Sequence, residues 1–206
     1  MRSGFFFVWY ILGYNSSMRK ILTGKFFNRP TLIVARELLG KYLVRRIDRK
    51  EVALKINEVE SYDGPRDCAS HAARGRTARN SVMFGEAGVW YVYFTYGMHW
   101  MLNIVTGKEG YPAAILIRGA GNINGPAKLT KFLQIDKRLN GKISERTTGL
   151  WIEDRPHTAK AKRGKGEKIS ENQIMKMPRV GVAYAGPIWS QKPYRFIIGE
   201  KKKPSP

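Results

Sequence analysis

Apolar residues recur every three or four positions in the segment NRPTLIVARELLGK, residues 28–41. Leu32, Ala35 and Leu38 fall on one helical face, Pro30 suits a first turn, and Gly40 suits the end of a helix. The spacing therefore predicts an amphipathic helix that packs one face on a core.

Two strands follow this helix, at 41–47 and 51–62, joined through 48–50. Strict alternation puts aliphatic side chains and then glutamates on one face of the second strand, namely Val52, Leu54, Ile56, Glu58, Glu60 and Tyr62. A carboxylate at the end of a core strand is unfavourable unless it is paired, so both glutamates are functional candidates. An ion pair with a nearby arginine is the alternative, and spacing alone does not choose between Glu58 and Glu60.

Residues 64–84 are predicted to form a long loop with a short helical turn. This loop is rich in arginine, including Arg79, and it follows the carboxylate-bearing strand, so it is a candidate substrate edge. Residues 89–105 are dense in aromatic and β-branched side chains and predict two strands with a tip at Tyr96 and Gly97. An aromatic ring on such a tip can wedge between stacked bases, and cross-strand packing is the alternative.

The remaining elements are a strand at 113–119, a helix that begins at Pro126, and short strand pieces within 178–198. The first turns of the helix carry Lys128 and Lys131, and its free amides suit phosphate. Internal repeats and an interdomain linker are both absent from the sequence. The predicted fold is therefore a single α+β domain, residues 18–200, with helices packed on an antiparallel sheet and a protruding hairpin.

Charge indicates the partner. The chain has 206 residues, 43% of them hydrophobic, and a formal net charge of +21. Such an excess of cations disfavours a compact state unless a polyanion is near, so nucleic acid is the expected partner and an anionic membrane the alternative.

Cysteine and histidine are scarce. Cys68 is the only cysteine, which excludes a disulfide framework and favours a reducing, cytoplasmic location. With three histidines, a structural zinc site is excluded on ligand count, and no cofactor is expected.

Three segments are set apart from the fold. Residues 1–17 contain an apolar run too short for a bilayer, which needs about 20 residues, and are interpreted as an extension upstream of a start at Met18. Residues 155–168 are basic and are interpreted as a mobile surface loop. Residues 201–206 form a basic tail.

Six motifs, in order across about 170 residues, carry a family resemblance: EVESYDGPRDCASH, RN with MF at 79–84, YVYFTYGMHWMLN, AILIR, GPAKL and RVGVAYAG. Together they resemble the alkyladenine (3-methyladenine) DNA glycosylase family. The resemblance implies a monofunctional base-excision enzyme that flips a damaged purine out of duplex DNA and cleaves its N-glycosidic bond. A monomer that acts on double-stranded DNA is expected. The short segment GAGNING after Arg118 lacks the acidic residue and longer insert of some members.

The resemblance also implies roles for particular residues. Glu60 matches the catalytic acid that activates a water, and Arg118 and the carbonyl of Val180 match groups that hold that water. The base pocket is implied at Tyr62, Ala69, His71, Tyr93 and Asn103, with Asn103 limiting which purines fit. Tyr96 matches the side chain that fills the vacated space in the duplex. Positions near the DNA or the pocket are implied at Met83, Leu116, Lys128 and Arg79.

Three other functions fit parts of the sequence. A nuclease would use Glu58, Glu60, Asp63 and Asp67 as Mg²⁺ ligands. A glycosylase with lyase activity would use a lysine Schiff base. A non-catalytic nucleic-acid-binding module would need only the charge and the aromatic strands.

Overall fold

The computed structural model describes residues 19–156 and 168–199. Over these ranges the chain has the predicted α+β fold, with one large antiparallel sheet and several helices. The strands are β1 Lys20–Ile21, β2 Tyr42–Ile47, β3 Lys50–Asp63, β4 Trp90–Thr95, β5 His99–Val105, β6 Ala113–Ala120, β7 Ile123–Asn124, β8 Leu150–Asp154, β9 Ile174–Met177 and β10 Arg195–Ile198. The α-helices are α1 Gly24–Phe27, α2 Thr31–Leu38, α3 Pro126–Phe132 and α4 Gly186–Ser190.

The long strand β3 lies in the middle of the sheet. The main path runs β1-β8-β2-β3-β6-β5-β4, while β10 pairs with both β3 and β9, and β7 pairs with β6. The first half of β3 pairs with β2, and the second half pairs with β6 and β10. The carboxylate-bearing half of β3 is thus hydrogen-bonded on both sides.

The prediction that residues 52–62 alternate without interruption is wrong. The β3–β6 ladder shifts register at two successive steps, in which Ile56 pairs with Ala120, Glu58 with Gly119, and Val59 with Ile117. Ile56 and Val59 are three positions apart yet both lie in the main core, whereas regular alternation would separate them. The shift therefore turns Glu60 and Tyr62 to the face opposite Ile56.

The two faces of this part of the sheet bury different sets of side chains. The main core is covered by α2 and α3 and includes Val34, Leu38, Ile104, Ile117 and Leu129. The opposite face carries a second cluster, formed by Ala72, Met83, Tyr91, Val105 and Ala114. Two 3₁₀-helices, His71–Arg74 and Ser81–Phe84, supply Ala72 and Met83 to it from the predicted loop 64–84. Glu60 and Tyr62 lie on the face of this second cluster.

The predicted hairpin is confirmed, with β4 and β5 joined at Tyr96 and Gly97. Tyr96 is 81% exposed and has a positive φ of 52°, next to Gly97 at 65°. The tip therefore holds a large aromatic ring out of the fold, in a backbone conformation that non-glycine residues seldom adopt.

Residues 178–198 differ from the predicted strand pieces. The segment forms a 3₁₀-helix at Ala183–Ala185, then α4, and becomes strand only at β10. Gly181 and Gly186 have φ near 74° and 79°, and Pro187 follows in the first turn of α4. These residues interrupt a ladder because left-handed backbone and a missing N–H do not fit regular pairing.

The interpretations of residues 1–17, of 157–167 within the basic run, and of 201–206 lie outside the described residues. Within the ranges that the structure describes, every helix is too short or too polar to span a bilayer.

Candidate active site

Glu60 is a fully buried carboxylate with three polar neighbours. Its Oε1 accepts a hydrogen bond from the Val180 amide at 2.7 Å and lies 3.4 Å from Arg118 Nε. Its Oε2 accepts from the Tyr62 hydroxyl at 3.0 Å. Val180, whose amide binds Glu60, is 48% exposed, so the buried Glu60 carboxylate lies directly beneath a surface residue.

Burial decides the protonation behaviour of this group. Desolvation raises the pKa of Glu60 above its ordinary value, although Arg118, the Val180 amide and the Tyr62 hydroxyl each act to lower it. A carboxylate with a raised pKa is a stronger base when ionised, and the three neighbours support the ionised form. Glu60 is therefore suited to accept a proton from water.

Glu58 is the principal partner of Arg118. Glu58 Oε1 accepts from Arg118 Nε at 2.9 Å and from Arg195 Nε at 2.8 Å. The sequence left open whether Glu58 is an ion pair or a functional group, and the structure places it in a double ion pair directly beside Glu60. Arg195 was not predicted, because only the β3–β10 pairing brings it there.

A buried ion pair holds the loop that carries Val180. Arg179 donates to both oxygens of Asp67 and to the Ser61 carbonyl. Its guanidinium also lies over the ring of Tyr62, 4.9 Å from the centroid. This pair fixes the backbone next to Val180 and occupies one face of Tyr62, and sequence reasoning missed it.

The structure gathers all five predicted pocket residues around one cleft, which is lined by Tyr62, Ala69, His71, Met83, Tyr91, Tyr93, Asn103, Ala114 and Tyr184. The rings of His71 and Tyr93 meet edge to face, with centroids 4.6 Å apart. Tyr91 and Tyr184 were not predicted to line it, although Tyr91 lies two positions before Tyr93 on β4 and so shares its face. Tyr184 is 69% exposed and donates to the Ala69 carbonyl at 2.9 Å across the cleft.

The aromatic wall stays neutral. Burial raises the pKa of Tyr91 to about 12, and also raises the pKa of Tyr62 and Tyr93. Desolvation, and then the charge of Arg79, lowers the pKa of His71, whose Nδ1 is 2.9 Å from the Tyr91 hydroxyl. The cleft therefore offers uncharged aromatic faces to a flat ring.

The side chains beneath the cleft are held by the sheet. Asn103 is buried, and its Nδ2 donates to the Tyr91 carbonyl at 3.1 Å, which fixes the amide. Leu116 pairs in register with both Glu60 and Asn103, while Met83 packs with Tyr91 and lines the cleft. Leu116 and Met83 are both buried, away from the protein surface.

The remaining predicted residues lie outside the cleft. Arg79 is exposed, donates to the Phe94 carbonyl at 3.0 Å and lies over the Tyr93 ring, so it borders the hairpin. Lys128 is exposed on α3, and Tyr96 is exposed at the hairpin tip.

A larger groove of about 990 Å³ lies elsewhere, along α1, α2 and residues 168–174. This groove is larger than the cleft, but it contains neither Glu60 nor the tyrosines, so its side chains do not make it the candidate active site. Among the described residues, His, Cys, Asp and Glu side chains do not gather in groups of three or more that could hold a metal ion. The four carboxylates of the nuclease alternative instead face cations or hydroxyls: Glu58 and Glu60 share Arg118, Asp67 pairs with Arg179, and Asp63 accepts from the Tyr111 hydroxyl.

A neutral aromatic cleft beside a buried, hydrogen-bonded carboxylate can receive a nucleobase and direct water at its glycosidic bond, which defines a nucleobase N-glycosyl hydrolase. Comparison with known proteins agrees: residues 25–124 and 120–202 match the family described as methylpurine-DNA glycosylase. The chain belongs to the methylpurine-DNA glycosylase family. It is thus a DNA repair enzyme of base excision.

Relatives of this chain are similar along most of its length. One, from Methanocella arvoryzae, is 42% identical over 196 residues, covering 85% of this chain and 91% of the relative. Another, from Streptomyces avermitilis, is 40% identical over 209 residues, covering 91% and 92%. A third, from Legionella pneumophila, is 39% identical over 188 residues, covering 88% and 95%. All three carry the name "Putative 3-methyladenine DNA glycosylase".

Proposed function

We propose that this enzyme flips 3-methyladenine and related damaged purines, including hypoxanthine and ethenoadenine, out of duplex DNA and removes them with a Glu60-activated water. The names of the relatives support the 3-methyladenine specificity. The single observation that carries the mechanism is the fully buried Glu60 carboxylate, held by Val180, Tyr62 and Arg118 beside an aromatic cleft.

The chemistry asks two things of Glu60. Breaking a purine glycosidic bond develops positive charge on the sugar, which a nearby carboxylate stabilises, and the attacking water must lose a proton. Positioned proton transfer contributes roughly 10²–10⁴-fold. Arg118 and the Val180 carbonyl hold the water, and the base leaves without a covalent enzyme intermediate, so the enzyme is monofunctional.

Stacking selects the damaged base. Tyr62, Tyr93 and His71 present neutral rings, and an electron-poor alkylated purine stacks on them more favourably than an unmodified base does. An alkylated cationic purine is also a good leaving group. Asn103, fixed by its bond to the Tyr91 carbonyl, limits which purine edges fit.

Tyr96 compensates for opening the duplex. Flipping costs a few kcal/mol, and least for damaged or mispaired bases. The exposed Tyr96 ring fills the vacated space, while cations such as Arg79 and Lys128 contact backbone phosphates. Binding is therefore expected to weaken with salt, with a log–log slope of about −0.9 per phosphate neutralised. The enzyme acts as a monomer in the compartment that holds the DNA, the cytoplasm in a bacterium.

The test uses end-labelled duplexes with one hypoxanthine, ethenoadenine or 3-methyladenine, incubated in EDTA and then treated with alkali. Wild type and Glu60→Gln are compared, with Glu51→Gln as the matched control, because Glu51 lies on the same strand β3 but binds Arg19 and Arg46. We expect breaks only after alkali, lost in Glu60→Gln while duplex binding persists, and retained in Glu51→Gln.

Each alternative gives a different result. A magnesium nuclease loses its activity in EDTA, and a lyase is trapped on DNA by borohydride. A binding module releases no base from any lesion while it binds duplex DNA, and Glu60→Gln leaves that binding unchanged. Any of these three results would contradict the proposed function.

A further inference from the structure

Glu58 lies at the centre of an arginine pair whose role the hydrolytic mechanism does not explain. One oxygen, Oε1, accepts from Arg118 Nε at 2.9 Å and from Arg195 Nε at 2.8 Å. The three side chains are only 13–22% exposed, so solvent screens their interaction incompletely.

Arg118 is shared between two carboxylates. Its Nε lies 2.9 Å from Glu58 and 3.4 Å from Glu60, so the stronger bond is to the residue that does not activate water. One N–H cannot point fully at both oxygens, and whatever strengthens its bond to Glu58 weakens its hold on Glu60.

The backbone of β3, β6 and β10 places the side chains of Glu58, Arg118 and Arg195 next to one another. Glu58 and Glu60 are two positions apart and so share one face of β3, which the register shift between residues 56 and 59 turns away from Ile56 and the main core. Arg195 stands opposite Glu60 on β10. A Cβ at Gly119 would lie 2.6 Å from Asn57 Oδ1 and 3.2 Å from Glu58 Cβ. A larger residue at 119 would therefore displace the Asn57 side chain and press on Glu58.

We propose that Glu58 is a positioning residue that draws Arg118 away from Glu60 and so preserves the strength of Glu60 as a base. Arg195 opposes this effect by neutralising Glu58. The inference rests on the proposed function, in which ionised Glu60 activates water.

The charged and titratable groups around Glu60 determine how each substitution changes its pKa. They are Arg118 on β6, Arg195 on β10, Tyr62 on β3, Tyr93 on β4, and Arg179 with the Val180 amide in the loop before α4. When Glu58 loses its charge, Arg118 binds Glu60 alone, which favours ionised Glu60 and lowers its pKa. When Arg195 loses its charge, the pKa of Glu60 rises for two reasons: a positive charge that itself lowers this pKa is gone, and Glu58 is free to hold Arg118. The two substitutions thus have opposite signs.

The experiment measures single-turnover release of hypoxanthine from duplex DNA against pH, for wild type, Glu58→Gln, Arg195→Gln and Glu51→Gln. Glu51 is the matched control, because it lies on β3 like Glu58 and also binds two arginines, Arg19 and Arg46. It is about 20 Å from Glu58 along the strand. The acid limb of the rate is expected to move about one pH unit lower in Glu58→Gln and higher in Arg195→Gln. The weaker base also lowers the plateau rate of Glu58→Gln about threefold, and Glu51→Gln changes neither quantity.

Opposite shifts support the inference, because a merely structural loss lowers all rates without moving the limb in two directions. An unmoved limb in an active Glu58→Gln enzyme overturns it and leaves the proposed function intact. If Glu58→Gln does not fold, Glu58→Asp decides: it keeps the negative charge beside Glu60 but shortens the side chain that holds Arg118, so a limb at lower pH supports the role of Glu58 and an unmoved limb overturns it. Wild type that releases none of the three lesion bases overturns the proposed function itself.

Discussion

Asp67 and Arg179 lie 112 residues apart in the chain, yet they form a doubly hydrogen-bonded ion pair in which neither side chain is exposed. The pair joins the segment after β3 to the loop before α4. Because Val180 follows Arg179 directly, the pair also places the amide that binds Glu60.

Asp67→Asn is expected to destabilise the fold strongly. The substitution keeps the size of the side chain but leaves the buried Arg179 charge unpaired, which costs about 3–5 kcal/mol. Denaturant unfolding measures the free energy of unfolding. Arg138→Gln serves as the control, because the Arg138–Asp136 pair has a guanidinium side chain that is 79% exposed, so solvent screens the pair and its loss is expected to change the free energy of unfolding little. Equal effects of the two substitutions would contradict this role.

Glu60→Gln is expected to gain stability over wild type as pH rises. Burial raises the pKa of Glu60 in the folded chain, so the unfolded chain releases this proton at lower pH. Rising pH then favours unfolding of wild type, from the ordinary glutamate pKa of about 4.3 up through the folded pKa, and the glutamine variant lacks this loss. Unfolding free energies of both proteins across this range measure the effect, and parallel curves would exclude a raised pKa.

Tyr62→Phe is expected to move the acid limb of base release to higher pH. The change removes the hydroxyl that donates to Glu60 Oε2 but keeps the ring for stacking, so ionised Glu60 loses a stabilising bond. A shift of about half a pH unit or more is expected in pH–rate measurements. In the matched variant Tyr93→Phe the bond from Tyr62 remains, so its limb should stay in place. A shift of the same size in both variants would refute the assignment to the Tyr62 hydroxyl.

Tyr96→Asn is expected to raise the free energy of unfolding and to lower excision from duplex DNA. Asparagine tolerates the positive φ that Tyr96 adopts, so the free energy of unfolding should rise by about 1 kcal/mol. Removing the ring should lower excision from duplex DNA about tenfold or more, because nothing fills the vacated stack. Excision from single-stranded DNA is the comparison, since it needs no wedge, and an equal loss on both substrates would speak against wedging.

Gly119→Ala is expected to disturb the carboxylates from a distance. The new methyl group would lie 2.6 Å from Asn57 Oδ1, so the Asn57 side chain must turn away and lose its bond to the Gly121 carbonyl, and 3.2 Å from Glu58 Cβ, so β3 must give by a few tenths of an ångström. The cost is about 1–3 kcal/mol. Base release should fall with stability, because Glu58 and Arg118 flank the contact. Gly85→Ala is the control: its φ is −88° and its nearest contact would be 3.4 Å, so neither stability nor rate should change much.

Local pattern was sufficient where function depends on neighbours in the chain. The helix from Thr31, the hairpin with Tyr96 at its tip and the helix that begins at Pro126 all follow from short-range signals. Residues two positions apart on a strand share a face, and the structure accordingly brings Tyr91 and Tyr93 of β4 into one cleft.

The sequence pattern did not predict features that depend on a backbone irregularity or on a contact with a distant segment of the chain. Alternation put Glu60 on the face of Ile56, because periodicity does not reveal a register shift in the ladder. The pairing of Asp67 with Arg179, the ion pair of Glu58 with Arg195 and the contact of Tyr184 with Ala69 each join segments more than 100 residues apart. Such contacts depend on the complete fold and leave no periodic trace.

The register shift in β3 also constrains how this sheet can assemble. In an uninterrupted ladder, Ile56 and Glu60 would share one face while Val59 faced the other, so carboxylates would enter the aliphatic core or aliphatics would line the cleft. Any other alignment of β3 with β6 is therefore less stable, because one half of β3 would then present its side chains to the wrong face. The same irregularity that brings Glu60 and Tyr62 to the cleft thus selects a single alignment during folding.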